Sequence, residues 1–578
     1  MPDIKDKIIA GKKSENFLNT VYKLCLSDRR ERSNIAKSLV TLHNTGKINV
    51  VAEFLELKKG TKGHDFFLTR HVFEELLPDI DAQVEEIMRC VKHLTLEAGN
   101  DGAAGMVIAP FIEYLKTQQD RPVQALEHAL KEIDDSFDFI TPTIIAGADS
   151  NFSQFTKKAI ELTRNSNSNI RTRAVHAIGR LTFSTNPKLI QGCIQAITEV
   201  LGQGYDEMLF SSALRSSYSL LKQNGDSEDQ VKHIFETILA HRDDYILHVA
   251  SEILFSEGDK LPLNLTTPLL NALADTKAKD GGTIDNIDYG LEKLFKAEKF
   301  ELVFSFLESF LLDKQSVSIT QFDSVSRAIL KNQECLNELI TRWLLSKRVK
   351  LGRSASDLLP TGLDQGLHLS ADAKQLSHRK DEIHIFLARK ACSWFFTHQI
   401  SAASYLLSLI EIAPEDEIAR ISEILFNPLL VSYPGSVKEF LEKSLDSATE
   451  KCSTTIRQLL TKLEKYHSGL DATKDIKELR PSLAHREAYH RHHSRLMNKS
   501  YEEAQNDSIW RQIATSSMLL YGRKSIYYVQ HGADGQSSRQ ETPLQQFNYS
   551  VEFPSVDILD HTGLEYLLRS FKLEGCTS

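Results

Sequence analysis

The chain has 578 residues, too many for one hydrophobic core; ordinary folding would imply roughly three or four domains, unless repeated units each pack on their neighbours. A composition of 41% hydrophobic and 25% charged residues excludes global disorder, and only 15 prolines and 27 glycines favour long helices over a strand-and-turn fold. The net charge of −9 excludes a global attraction to nucleic acid or anionic membranes.

The opening segment, MPDIKDKIIAGKKSENF, is polar and lacks the apolar core of a signal peptide. The longest apolar stretches, such as 400–413, are interrupted by Ser and Glu and are too short to span a bilayer. The seven cysteines are dispersed and never form a CxxC pair, so neither a disulfide framework nor a zinc knuckle is expected. These features predict a cytoplasmic protein in a reducing compartment, with no membrane partner.

From residue 14 to about 345, apolar residues recur at spacings of three and four, broken by short polar or glycine-bearing turns. That is the rhythm of antiparallel helices. Residues 1–120 form an N-terminal helical region, with Phe17, Val21 and Leu24 on one face of its SENFLNTVYKLCL segment. The loop from Gly99 to Gly105 follows a helical pattern rather than a strand, so it reads as a connection and not as a phosphate-binding loop.

The clearest signal starts at Asn169. Ile170, Ala174, Ala177, Ile178 and Leu181 place apolar or small residues along one helical stripe. Leu209 and Ala213 lie 39 residues beyond Ile170 and Ala174, and Ile246 and Ala250 follow 37 later. Gly290 comes 40 residues after Ala250, with Leu294 matching Leu254. Between these helices lie partner stripes, including Leu189, Cys193, Ile194, Ile197 and Leu201, and Val231, Ile234, Phe235 and Ile238. A period near 40 with a small residue at one phase suits two-helix units that approach closely.

Ile170, Arg171, Ala174, Ala177, Ile178, Gly179 and Leu181 resemble the second helix of a HEAT repeat. The neighbouring units match less closely: Ser216 and Ser217 stand where Ala and Leu are usual, and the arginine after the first apolar residue is missing. The resemblance covers roughly 121–345. It implies a mainly α fold, an α-solenoid of HEAT-like hairpins, and commonly a surface that binds an extended partner. It implies no particular partner.

Beyond Trp343, residues 346–380 open with a basic run and continue polar, which predicts an exposed loop or linker. A second helical block is expected over 381–470. The remainder, 471–578, reads as a small α/β module. It comprises a helix over 481–521 ended by Gly522, β-prone runs at 524–530 and 547–553 around a turn at 531–535, and a final helix capped by Asp560 or Thr562.

Chemical motifs are sparse. Gly11-Lys-Lys-Ser14 lacks the upstream glycine of a Walker A loop, Gly202-Gln-Gly204 lacks a third glycine, and no GxSxG appears. Acidic groups such as Glu415–Glu417 and Asp134-Asp135 suit helix starts and solvent faces. His490 and His493 could share a helical face, but no HExxH or acidic partner accompanies them, so no metal ligand is assigned. No catalytic residue or cofactor is assigned either.

The segment 451–525 is locally basic, with 14 Lys and Arg against eight Asp and Glu, interleaved with His and aromatic residues. Its candidate binding residues are Arg486, His490, Arg491, His493, Arg495, Arg523 and Lys524. The resulting expectation is a scaffold or adaptor for protein partners. The alternative is a nucleic-acid-binding repeat protein using 451–525, and the third reading is an enzyme with its site in 481–578.

Overall fold

A computed structural model of the chain describes residues 4–27, 32–132, 136–183, 186–360, 367–377, 382–479, 481–506, 524–531, 536–543 and 552–575. The fold is mainly α, in two compact units, Met1–Ile329 and Leu330–Ser578.

In the first unit, helix starts are written by Asx residues whose side chains accept the otherwise unpaired first-turn N–H groups. Asn151 accepts from Gln154 N, Asn167 from Asn169 and Ile170 N, Asn186 from Leu189 N, and Asp206 from Leu209 N. The helices they open are Phe152–Leu162, Ser168–Arg180, Pro187–Leu201 and Glu207–Gln223. The stripe read from sequence is fully buried: Ile170, Ala174, Ala177 and Ile178 have no exposed surface.

Packing skips alternate helices. Ile140–Ser150, Ser168–Arg180, Glu207–Gln223, Asp244–Glu257 and Gly281–Lys296 each pack on the next in that order. A second row runs through Phe152–Leu162, Pro187–Leu201, Glu228–Leu239, Leu263–Leu273 and Phe300–Asp313. Small residues set the approach in the first row. A Cβ at Gly179 would stand 2.6 Å from Ser216 Cα, and one at Gly290 would stand 2.4 Å from Leu254 Cγ.

Polar ties follow the same spacing. Arg173 pairs with Asp138 35 residues earlier, Ser168 with Asp206 at 38, Arg215 with Glu252 at 37, and Lys222 with Glu257 at 35. Ser219 Oγ donates to Gly179 O over 2.6 Å, and Ser216 Oγ to Val175 O over 2.9 Å. The spacing reaches into the N-terminal region, where Asn44 donates to Asp79 O at 35 and His93 Nε2 meets Leu57 O at 36.

The second unit departs from the expected linker. Val349–Leu358 is a helix that buries Leu351, Gly352, Ser354, Ala355 and Leu358 and exposes Lys347, Arg348 and Arg353 around that face. Its core side mixes Leu351 and Leu358 with the small residues Gly352, Ser354 and Ala355, which add little hydrophobic signal but permit contact: a Cβ at Gly352 would lie 2.4 Å from Trp394 Nε1. Farther along, Leu369 N and Ala371 N donate to Ser404 and Ser408 Oγ, each over 2.8 Å, so 367–376 is tied down. The second helical block follows as Ile383–Trp394, Gln399–Ile412, Glu415–Ile424, Ser436–Ser444 and Glu450–Thr473. Ties at similar separations recur in it: Thr449 with Glu411 at 38 residues and Lys462 with Glu423 at 39.

Toward the C-terminus, Leu483–Asn506 is helical and β1 (Lys524–His531) pairs antiparallel with β2 (Gln536–Pro543), Lys524 facing Pro543. The predicted hairpin is present, but its second strand directly follows the turn and precedes the expected 547–553 run. Ladder pairing uses backbone groups, so the polar QSSRQETP segment suffices. Residues 544–551, most of that run, lie outside the described residues, as do 507–523 with Gly522. Ser555–Leu573 is the final helix. It breaks at Asp560, whose carboxylate accepts Gly563 N over 3.0 Å and so caps the continuation as expected.

Candidate functional site

The predicted basic cluster sits on Leu483–Asn506, and its cations do not converge. Arg486, His490, Arg491 and Arg495 are all exposed. At 100° per residue, Arg491 and Arg495 are a turn apart on the face opposite Tyr489, whereas Arg486 and His490 flank it. Tyr489 hydrogen-bonds Asp557 on the final helix, and the His492 and His561 rings lie 6.4 Å apart. Arg491 also leans on Glu487, 3.8 Å away. The His493 side chain and all of Arg523 lie outside the described residues, and Lys524 opens β1 in a different element.

Elsewhere in the basic segment, cations already have partners. Lys451 Nζ donates to Ala413 O over 2.6 Å and to Glu411 O over 3.2 Å, and Lys462 pairs with Glu423. The formal surplus of charge is therefore partly spent within the fold. Both lysines line a groove of about 780 Å³ between Glu415–Ile424 and Glu450–Thr473, together with Glu415, Glu423 and Glu450. That mixture selects neither anion nor cation.

Glu417 stands in the first turn of Glu415–Ile424, as the helix-start reading expects, but it is buried rather than on a solvent face. It accepts Glu382 N over 2.9 Å and meets His384 Nδ1 at 3.1 Å. Six cysteines, Cys25, Cys90, Cys193, Cys335, Cys392 and Cys452, are buried. Burial pushes the Cys193 and Cys392 thiols up to about 12, leaving them poor nucleophiles at neutral pH. Among the described residues, no three His, Cys, Asp or Glu side chains are grouped to hold a metal ion. None of the described helices is long and apolar enough to cross a membrane.

A different place in the first unit gathers more. Two depressions meet at His176. One, of about 390 Å³, is mainly apolar and includes Val91, Leu96, Ile108, Phe139 and Pro142, with Arg173 and His176 at its edge. The other, of about 270 Å³, runs from His176 past Arg180, Arg215, Ser219 and Lys222 to Glu252 and Glu257. Burial, and then the charges of Arg180, Arg173 and Arg215, hold the His176 imidazole down at about 4, so it is neutral at pH 7. Sequence reading missed this site because its members come from several helices distant in sequence. The available signal was the recurrence of opposite charges 35–37 residues apart.

No family model matches the chain, and no curated protein matches it. Among solved structures, an engineered protein from a structural-genomics consortium is similar at 13% identity, with a TM-score of 0.30 over 80% of this chain and 99% of that one. A likeness at that level carries no argument about function, and the secure class is a mainly α-helical protein.

Proposed function

We propose that this chain is a HEAT-like helical-repeat scaffold or adaptor that binds protein partners along the surface of its stacked units. The observation that carries the reading is the recurrence of side-chain ties at one-unit spacing, from Asn44–Asp79 through Arg215–Glu252 to Lys462–Glu423. Units held this way present the same helical face repeatedly, which suits an extended partner better than a compact substrate. The test is affinity purification of the tagged full-length chain from its native source, followed by cross-linking mass spectrometry. A stoichiometric protein partner, cross-linked to several successive units, is expected. Recovery of nothing beyond a tag-only control overturns the reading.

A second reading, nucleic-acid binding, is favoured by one observation: Arg486, Arg491 and Arg495 all project into solvent from one long helix. Single- and double-stranded DNA and RNA probes then bind at low salt, with affinity falling steeply as salt rises. Replacing all three arginines with Glu abolishes the binding. No binding at low salt removes this reading.

A further inference from the structure

The His176 junction has two properties that point to one kind of ligand. Its apolar limb leaves Leu96 68% exposed beside Ile108 and Phe139, an open seat for a hydrophobic side chain. Its polar limb holds more positive than negative charge. Arg173 is matched by Asp138, Arg215 by Glu252 and Lys222 by Glu257. Arg180 is exposed and carries no ion pair among the described residues.

We propose that this junction binds an extended acidic peptide, with a large apolar side chain in the Leu96–Phe139 limb and a carboxylate on Arg180. The proposal rests on the scaffold reading above and gives it a site and a partner chemistry. Charge complementarity selects the peptide. A polyphosphate strand needs a run of free cations, whereas here one unmatched arginine stands among Asp138, Glu252 and Glu257, which would repel successive phosphates. A peptide can place one carboxylate on Arg180 and keep the rest of its chain neutral. Arg180 lies one helical turn, about 6 Å, beyond His176. An extended peptide covers that distance in about two residues, so the acidic residue falls at least about two positions from an apolar side chain anchored beside His176.

The test uses full-length protein and fluorescein-labelled decapeptides that pair one Phe with one Glu at spacings of two to four, in both chain directions. Matched peptides carry Gln or Lys in place of Glu, and a labelled oligothymidylate serves as a non-peptide anion. At least one Phe/Glu peptide should give saturable anisotropy and bind tenfold or more tightly than its Gln counterpart. Arg180→Glu should weaken that peptide at least tenfold and favour the Lys version. Leu96→Asp should weaken all of them, and both changes lie at exposed positions where the fold tolerates substitution. The proposal is overturned if no peptide saturates, if both variants bind within twofold of the parent, or if the oligothymidylate binds as tightly. Should it fall while affinity purification still returns a partner cross-linked to other helices, the scaffold reading stands without this site.

Discussion

Gly179→Ala should destabilise the chain, although the same change stabilises an ordinary helix. In a free helix interior, Ala is better than Gly by about 1 kcal/mol, and less near the end where Gly179 sits. Here the new Cβ would stand 2.4 Å from Ser216 Oγ and 2.6 Å from Ser216 Cα, so a whole helix must shift rather than one side chain. Overpacking of this kind costs about 1–3 kcal/mol. The shift also strains the Ser219 Oγ–Gly179 O and Ser216 Oγ–Val175 O hydrogen bonds, each worth about 1 kcal/mol. The net expectation is a loss of about 2–3 kcal/mol, confined to the helices around the contact. Gly192→Ala is the matched control. It also lies within a helix, Pro187–Leu201, but its Cβ would meet only Ile160 Cδ1 at 3.7 Å, so stabilisation by about 0.5–1 kcal/mol is expected. Because a chain of two compact units need not unfold in one step, the assay is hydrogen exchange of peptides across 168–223, supported by thermal melts. Equal protection in the two variants, or a stabilised Gly179→Ala protein, refutes the claim that this glycine sets the helix spacing.

Three further outcomes follow from named contacts. Glu552 accepts Gly435 N over 2.6 Å and Ser436 N over 2.8 Å at the start of Ser436–Ser444. Glu552→Ala should therefore cost about 1–2 kcal/mol and raise exchange at 436–444 and at 555–573 together; an effect on neither segment counts against the cap. His176 is held down at about 4 in the folded chain but titrates near 6.5 when unfolded, so the unfolded state binds more protons between those values. Stability contributed by neutral His176 is thus present above pH 6.5 and lost as pH falls toward 4, and His176→Gln should flatten that part of the melting-temperature profile. His561 is shifted the other way by its 2.6 Å hydrogen bond to Asp557. The stabilisation from this solvent-screened pair is present below pH 6.5 and fades as pH rises through the folded-state value. Its NMR titration midpoint should lie above 6.5 and drop in Asp557→Asn, and coincident curves would exclude the coupling.

Much of the local structure was legible in the chain itself. Helix period, the Asp560 cap and the buried Ile170–Leu181 stripe are decided within a few residues, because helical hydrogen bonds and side-chain faces have a short, fixed repeat. The hairpin was legible for the same reason, through the turn signal at 531–535, although the position of its second strand was not. Contacts that join distant residues were a different matter. The 346–358 segment reads as polar because the small residues that let Val349–Leu358 meet Trp394 carry no hydrophobic signal of their own.

The basic cluster shows the same division. Charge density along 451–525 is a property of sequence, but whether those charges converge depends on helix phase and on partners such as Ala413 O and Glu423, which only packing supplies. The sequence by itself determined that the chain is helical and which residues face inward near 170–181. The tertiary structure alone decided that Arg180 keeps no carboxylate partner among the described residues while Arg173, Arg215 and Lys222 each have one. It also decided that an apolar seat meets those cations at His176. Local periodicity fixes the element, whereas a site assembled from helices distant in sequence exists only once they are packed together.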